Sequence, residues 1–114
     1  MRAEKEIRWV GSSYDDILEF PSEARREAGF QLGRVQAGLD PEDWKPFDDV
    51  SAGVREIRIR DVSGIYRVMY VAKFEEAIYV LHCFQKKTQA TPKPDKEIAA
   101  ARYRAIVRER KEQR

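Results

Sequence analysis

A chain of 114 residues has room for one modest hydrophobic core and not for two, so residues 1–114 read as one domain. A hydrophobic content of 42% is that of a globular protein, and 37% charged residues crowd its surface with both signs, which excludes disorder away from the ends. The net charge of +2 hides a division: 7 Lys and Arg stand against 12 Asp and Glu up to Gly53, and 15 against 8 from Val54 onward, a bias that points the C-terminal half at a polyanion.

The single cysteine, Cys83, excludes an intramolecular disulfide and fits a reducing compartment. No apolar run is long enough to span a bilayer, so the expectation is a soluble, cytoplasmic protein.

In chain order, Glu6 to Val10 reads as a short strand stopped by Gly11. A helix follows, N-capped by Ser12 or Ser13, with Asp15 and Asp16 in its first turn and a stripe of Tyr14, Ile17 and Leu18. After Pro21 a second helix, roughly Ser22 to Gly38, carries Ala24, Ala28, Leu32, Val35 and Leu39 on one side, and the two should pack as a helical hairpin. Gly29 and Gly33 form a GxxxG whose charged surroundings exclude a membrane dimer and suggest close helix packing. Asp40 to Gly53 reads as an irregular connection pinned by Trp44 and Phe47.

Three strands come next. VREIRIR, Val54 to Arg60, alternates Ile57 and Ile59 with Glu56, Arg58 and Arg60, which gives one buried face and one basic face. Turn signals at Asp61 to Gly64 and at Glu75 and Glu76 bound GIYRVMYVAKF and AIYVLHCFQ, and such short loops imply antiparallel pairing. Thr91 is placed to cap a last helix with Pro92 at its first position and Ile98, Ala101, Ala105 and Ile106 as its apolar stripe; Lys111 to Arg114 should fray. The fold class is α+β in the order β-α-α-β-β-β-α.

Inventory eliminates several chemistries. One Cys and one His on a single strand cannot build a zinc site, no glycine-rich phosphate loop is present, and the neighbouring carboxylates of Asp15/Asp16 and Asp48/Asp49 diverge, so neither metal nor cofactor is expected. His82 and Cys83 are adjacent in a strand and point to opposite faces, which excludes a nucleophile pair. His82 shares a face with Ile78, Val80 and Phe84 on this reading; it is a packed core histidine or an acid–base group.

What remains is a surface of Arg58, Arg60, Arg67, Lys86 and Lys87, with Tyr66, Tyr70, Gln85 and Gln89 nearby. Cleaving RNA with its own 2′-hydroxyl needs alignment, charge stabilisation at phosphorus and two proton transfers, and no metal. Arginine and lysine supply the charge, crowding of like charges lowers a lysine pKa enough for proton transfer, tyrosines stack on bases and glutamines read base edges. A basic sheet that binds RNA without turnover satisfies the same composition.

The segments REIRIRD, GIYRVMYVAKF and AIYVLHCFQKKTQATP leading into EIAAARYR resemble the HigB-type toxins of the RelE/ParE toxin superfamily, in the branch related to phage proteins. The resemblance spans essentially the whole chain and is most specific at FQKKTQ, followed by TP and a helix with A-x-x-R. It implies a RelE/ParE-like fold of a helical hairpin and a C-terminal helix around a small, mostly antiparallel sheet. It implies a toxin that cuts mRNA on the ribosome and is held inactive by a helix-turn-helix antitoxin of HigA type, which alone contacts operator DNA. Carried over by position, Arg67 takes phosphate or transition-state charge, Lys86 or Lys87 assists proton transfer, and Arg58 and Arg60 bind substrate; the chemistry of the residues adds His82 as a further catalytic candidate and Tyr66, Gln85 and Gln89 as substrate-binding ones. The alternative is a ParE-like toxin that poisons DNA gyrase without chemistry of its own.

Overall fold

A computed structural model describes residues 4–113. The elements are β1 (Glu6–Trp9), α1 (Ser13–Leu18), α2 (Ser22–Gln36), β2 (Trp44–Pro46), β3 (Val54–Asp61), β4 (Gly64–Val71), β5 (Ala77–Lys86) and α3 (Lys93–Glu112). Five strands form one sheet in the order β1-β5-β4-β3-β2, antiparallel throughout except that β1 runs parallel to β5. The fold is α+β with a mostly antiparallel sheet, as expected, but it has one strand more than the order read from sequence. β2 lies inside the segment expected to be irregular: Trp44 to Pro46 pair with Ile57 to Arg55, and a proline is tolerated there because the strand is at the sheet edge.

The sheet is covered on both faces. Ile57, Ile59, Tyr66, Val68, Tyr70, Ile78, Val80 and Cys83 pack with Ile17, Phe20 and the Ala24–Ala28–Leu32–Val35 stripe of α2. Val54, Met69, Val71, Tyr79, Leu81 and Phe84 pack with Phe47 and with Ala99 and Ile106 of α3. α1 lies on β5 and α2 on β3, so each helix packs on the sheet rather than closing on the other as a hairpin.

A β-bulge controls which side chains of β5 go where. Met69 pairs with His82 but Tyr70 with Val80, so the register skips Leu81 and the alternation of β5 resets there. Ile78 and Val80 face α1 and α2, whereas His82 stacks on Phe84, 5.0 Å between ring centroids, on the α3 side. This corrects the single face expected for His82, Ile78, Val80 and Phe84.

Several helix details also differ from the sequence reading. Ser12 is the N-cap of α1, but its hydroxyl donates to Asp16 Oδ2 (2.8 Å) and that of Ser13 to the Val80 carbonyl (3.0 Å), so neither caps a helix amide. Of the α1 stripe only Ile17 is buried; Tyr14 and Leu18 are exposed because α1 is too short to lay three residues on β5. α2 ends two residues early: Gly38 takes φ +85°, the Leu39 amide donates back to the Arg34 carbonyl (2.9 Å), and Leu39 turns into solvent. In α3 the buried residues are Ala99 and Ile106, with Ala101 and Ala105 outward, because the helix is anchored through Arg102 to the Leu81 carbonyl (2.8 Å). That helix runs through Glu112, while Arg114 lies outside the described residues. No helix among the described residues is long and apolar enough to cross a membrane.

The expected close packing at Gly29 and Gly33 is absent, since a Cβ at either position would meet nothing within 4 Å. Gly29→Ala and Gly33→Ala should therefore each raise stability by about 0.5–1 kcal/mol in urea melts. A loss would show that this side of α2 is covered.

At the far end of α3, Arg110 donates to both Glu76 oxygens (2.6 and 3.0 Å). Those bonds, with backbone and Tyr79 hydroxyl donors, bring the Glu76 carboxyl from 4.5 down to about 2. Across that window the unfolded chain binds a proton that the folded protein does not, so stability should fall as pH drops from 4.5 towards 2. Glu76→Gln should lack that part of the acid dependence when urea melts are repeated across the window.

Candidate functional site

Strand register lays the site out in rows on the α3 side of the sheet. Arg60, Ile65 and Lys86 pair across β3, β4 and β5 nearest the β3–β4 turn; Arg58, Arg67 and Phe84 form the next row; Glu56, Met69 and His82 the third, with Lys45 of β2 beside Glu56. α3 packs on this face through Ala99 and Ile106, in one cluster with Met69 and Phe84. The first two rows, with the turn after β5, bound an open groove of about 480 Å³ lined by Ile65, Arg67, Lys86, Lys87, Thr88 and Gln89. The Thr88 hydroxyl donates to the Ala90 carbonyl (2.6 Å), which tightens the turn presenting Lys87 and Gln89.

The groove floor rests on a buried ion pair that the sequence reading missed. Glu56, expected on the exposed basic face, is completely buried. Its carboxylate accepts from Arg67 Nε (3.2 Å) and from the Thr91 hydroxyl (3.2 Å), and Lys45 Nζ stands 3.8 Å away. Thr91 therefore spends its hydroxyl on Glu56 instead of capping α3, whose N-cap is Pro92. Arg67 Nη1 also donates to the Tyr66 carbonyl (3.3 Å), so two bonds fix the guanidinium, 8% exposed, with one edge towards the groove.

Charge pairing sorts the cations. Arg67 is matched by Glu56, and Arg58 donates to Asp43 Oδ1 through Nε (2.9 Å), with its Nη2 also 2.9 Å from that oxygen. Arg60 and Lys87 are exposed, and neither they nor Lys86 pairs with a carboxylate among the described residues. Burial lowers the pKa of Lys86, and the charges of Arg67, Lys45 and Arg58 lower it further against the opposing pull of Glu56. The crowding expected for the lysine pair thus acts on Lys86 through neighbouring strands. Burial likewise lowers Arg67 and raises the Cys83 thiol.

The expectation of one shared surface is corrected for four of the ten candidates. Tyr66 is buried on the opposite face, 4.7 Å from the Phe20 ring, and Gln85 lies beside it because both alternate away from Arg67 and Lys86. Tyr70 is fully buried on that face too, so neither tyrosine offers a ring to the groove. His82 lies on the correct face but under α3, its Nε2 2.6 Å from Asp95 Oδ1 and its Nδ1 buried without a partner. Four residues along the strand place it about 13 Å from Lys86. Arg67, Lys86, Lys87 and Gln89 are brought together, with Arg58 and Arg60 at the margin.

Besides Glu56, the sequence reading overlooked Lys45, in the segment taken as irregular, and Ile65, an exposed apolar residue in the groove wall. The one signal for Glu56 was an acid in an otherwise basic alternation, and its burial follows only from the cross-strand register.

Two comparisons with known proteins bear on this arrangement. The family model described as phage-derived protein Gp49-like matches residues 15–104. Among solved structures, a chain of the toxin–antitoxin complex RelBE2 from Mycobacterium tuberculosis superposes with a TM-score of 0.51 at 20% identity, over 73% of this chain and 99% of that one. No curated protein matches the chain.

The buried pair makes a testable energetic statement. Arg67→Ala strands the Glu56 carboxylate and should cost about 3–5 kcal/mol in urea denaturation. The double variant Glu56→Leu/Arg67→Met, which removes both charges, should be clearly more stable than Arg67→Ala. Equal losses would mean that the pair does not act as a unit.

Proposed function

The chain belongs to the Gp49-like family of phage-derived proteins, and from that premise we propose that it is the toxin of a type II toxin–antitoxin system, a metal-independent endoribonuclease that cuts mRNA on the ribosome. The observation that carries the reading is the open groove in which the fixed edge of Arg67 meets Lys86 and Lys87. The fold shared with a chain of the RelBE2 toxin–antitoxin complex supports it.

In this reading a phosphate of single-stranded RNA lies between Arg67, Lys86 and Lys87. The 2′-oxygen forms a bond to phosphorus, the P–O5′ bond breaks, the departing 5′-oxygen takes a proton from water, and the products are a 2′,3′-cyclic phosphate and a 5′-hydroxyl. Lys86, whose lowered pKa leaves more of it neutral than an ordinary lysine, takes the 2′-hydroxyl proton. The Arg67 guanidinium and the Lys87 ammonium stabilise the charge on the phosphorane oxygens. Ile65 gives a base an apolar wall and Gln89 a hydrogen-bonding edge. His82, held by Asp95 and stacked on Phe84, packs α3 on the sheet.

The same groove explains inhibition. An acidic segment of a helix-turn-helix antitoxin laid over Arg60, Lys86 and Lys87 would neutralise them and exclude RNA, and steering between opposite charges would speed its capture in the cytoplasm. Operator DNA would be contacted through that antitoxin.

In a translating extract the wild-type protein should cut message and leave cyclic phosphate ends. Lys86→Gln should reduce cleavage by about 10²–10³-fold. Message left whole by the wild-type protein would refute the reading.

A further inference from the structure

The groove depends on a residue that does not line it. Glu56 is wholly enclosed, and β2, β4 and the segment before α3 each aim a polar group at it: Lys45 Nζ at 3.8 Å, Arg67 Nε at 3.2 Å and the Thr91 hydroxyl at 3.2 Å. A carboxylate is expensive to bury, and here it is held by two hydrogen-bond donors and the Lys45 ammonium, from three elements. Because Glu56 takes Nε and the Tyr66 carbonyl takes Nη1, the Nη2 edge of Arg67 is left for the groove.

The charged groups around Lys86 are Arg67 of β4, Arg58 and Arg60 of β3, Lys45 of β2 and Lys87 beyond the strand end; Asp43 is spent on Arg58. Glu56 is the carboxylate that opposes this positive field at Lys86. We propose that Glu56 is a positioning residue of the groove: its buried carboxylate orients the Arg67 guanidinium towards the RNA phosphate and sets the field in which Lys86 exchanges its proton. The cleavage arm of this inference rests on the endoribonuclease reading; the titration arm does not.

With Glu56 neutral, Arg67, Arg58 and Lys45 act on Lys86 unopposed, so its ammonium form is less favoured and it loses its proton at lower pH. With Arg67 also neutralised, the largest repulsive charge is gone and the midpoint rises again.

The test is a pH titration followed by the ¹³Cε resonances of labelled lysines, with Lys86 assigned from Lys86→Arg and folding checked on the amide spectrum. In Glu56→Gln the Lys86 midpoint should move down. In Glu56→Gln/Arg67→Gln the Lys86 midpoint should lie above the wild-type value. This variant removes the pair as a unit and carries the test if the single variant does not fold. Glu56→Asp keeps the charge but shortens the reach, so Lys86 should titrate near the wild-type midpoint while RNA cleavage falls about 10–100-fold from misplacement of Arg67.

A folded Glu56→Gln in which Lys86 titrates at or above the wild-type midpoint overturns the inference, as does a double variant that leaves Lys86 unchanged. A wild-type protein that shows the titration shifts but does not cut RNA would fail the endoribonuclease reading and leave the role of Glu56 in the field at Lys86 standing.

Discussion

The ion pair between Glu56 and Arg67 is the interaction on which the functional face depends. A carboxylate stripped of water must be matched by donors and cations at close range, and here β4 and the turn before α3 supply hydrogen bonds and β2 the Lys45 ammonium. That requirement fixes several things together. Arg67 cannot swing freely into solvent, Thr91 cannot cap its helix, and the entry to α3 is tied to the middle of the sheet. The groove lies beyond this anchor, at the Ile65 and Lys86 end of the strands.

Strand alternation is the second constraint, and the bulge between Met69 and Tyr70 is where it is adjusted. Without the reset at Leu81, β5 could not give Ile78 and Val80 to the α1 and α2 side and also give Phe84 and Lys86 to the α3 side. One irregularity thus lets a single strand serve a core at one end and a cationic groove at the other. The arrangement also separates the groove from the packing along β5: His82, four residues from Lys86, is held by Asp95 of α3, while Lys86 and Lys87 line the groove.

The parts legible in the sequence were those governed by local rules. The two hairpins of β3, β4 and β5 follow from short turn signals, and the buried Ala24–Ala28–Leu32–Val35 side of α2 from its period. The cluster of Arg67 with Lys86 and Lys87 followed from the basic strand and FQKKTQ. What the sequence did not show depends on register and neighbours. Tyr66 looked available until pairing placed it against Phe20, and Glu56 looked solvated until Arg67 and Thr91 closed on it. The stripe expected for α3 was a reasonable 3.6-residue period, but the Arg102 bond to Leu81 and the Arg110 bonds to Glu76 rotate the helix to a different side. Gly29 and Gly33 fit a packing motif while facing nothing, which a pattern alone cannot reveal.

On the proposed function, RNA phosphate sits in the groove between Arg67 and the Lys86–Gln89 turn. The most direct measurement is an amide and arginine Nε–H spectrum of the labelled protein with a short single-stranded RNA made uncleavable by 2′-O-methylation, at low salt. The account predicts shifts concentrated at Arg67 Nε, Ile65 and Lys86 to Gln89, with the opposite face around Phe20, Tyr66 and Gln85 quiet. Shifts centred on that opposite face, or spread along the outward arginines of α3 with the groove unmoved, would contradict it.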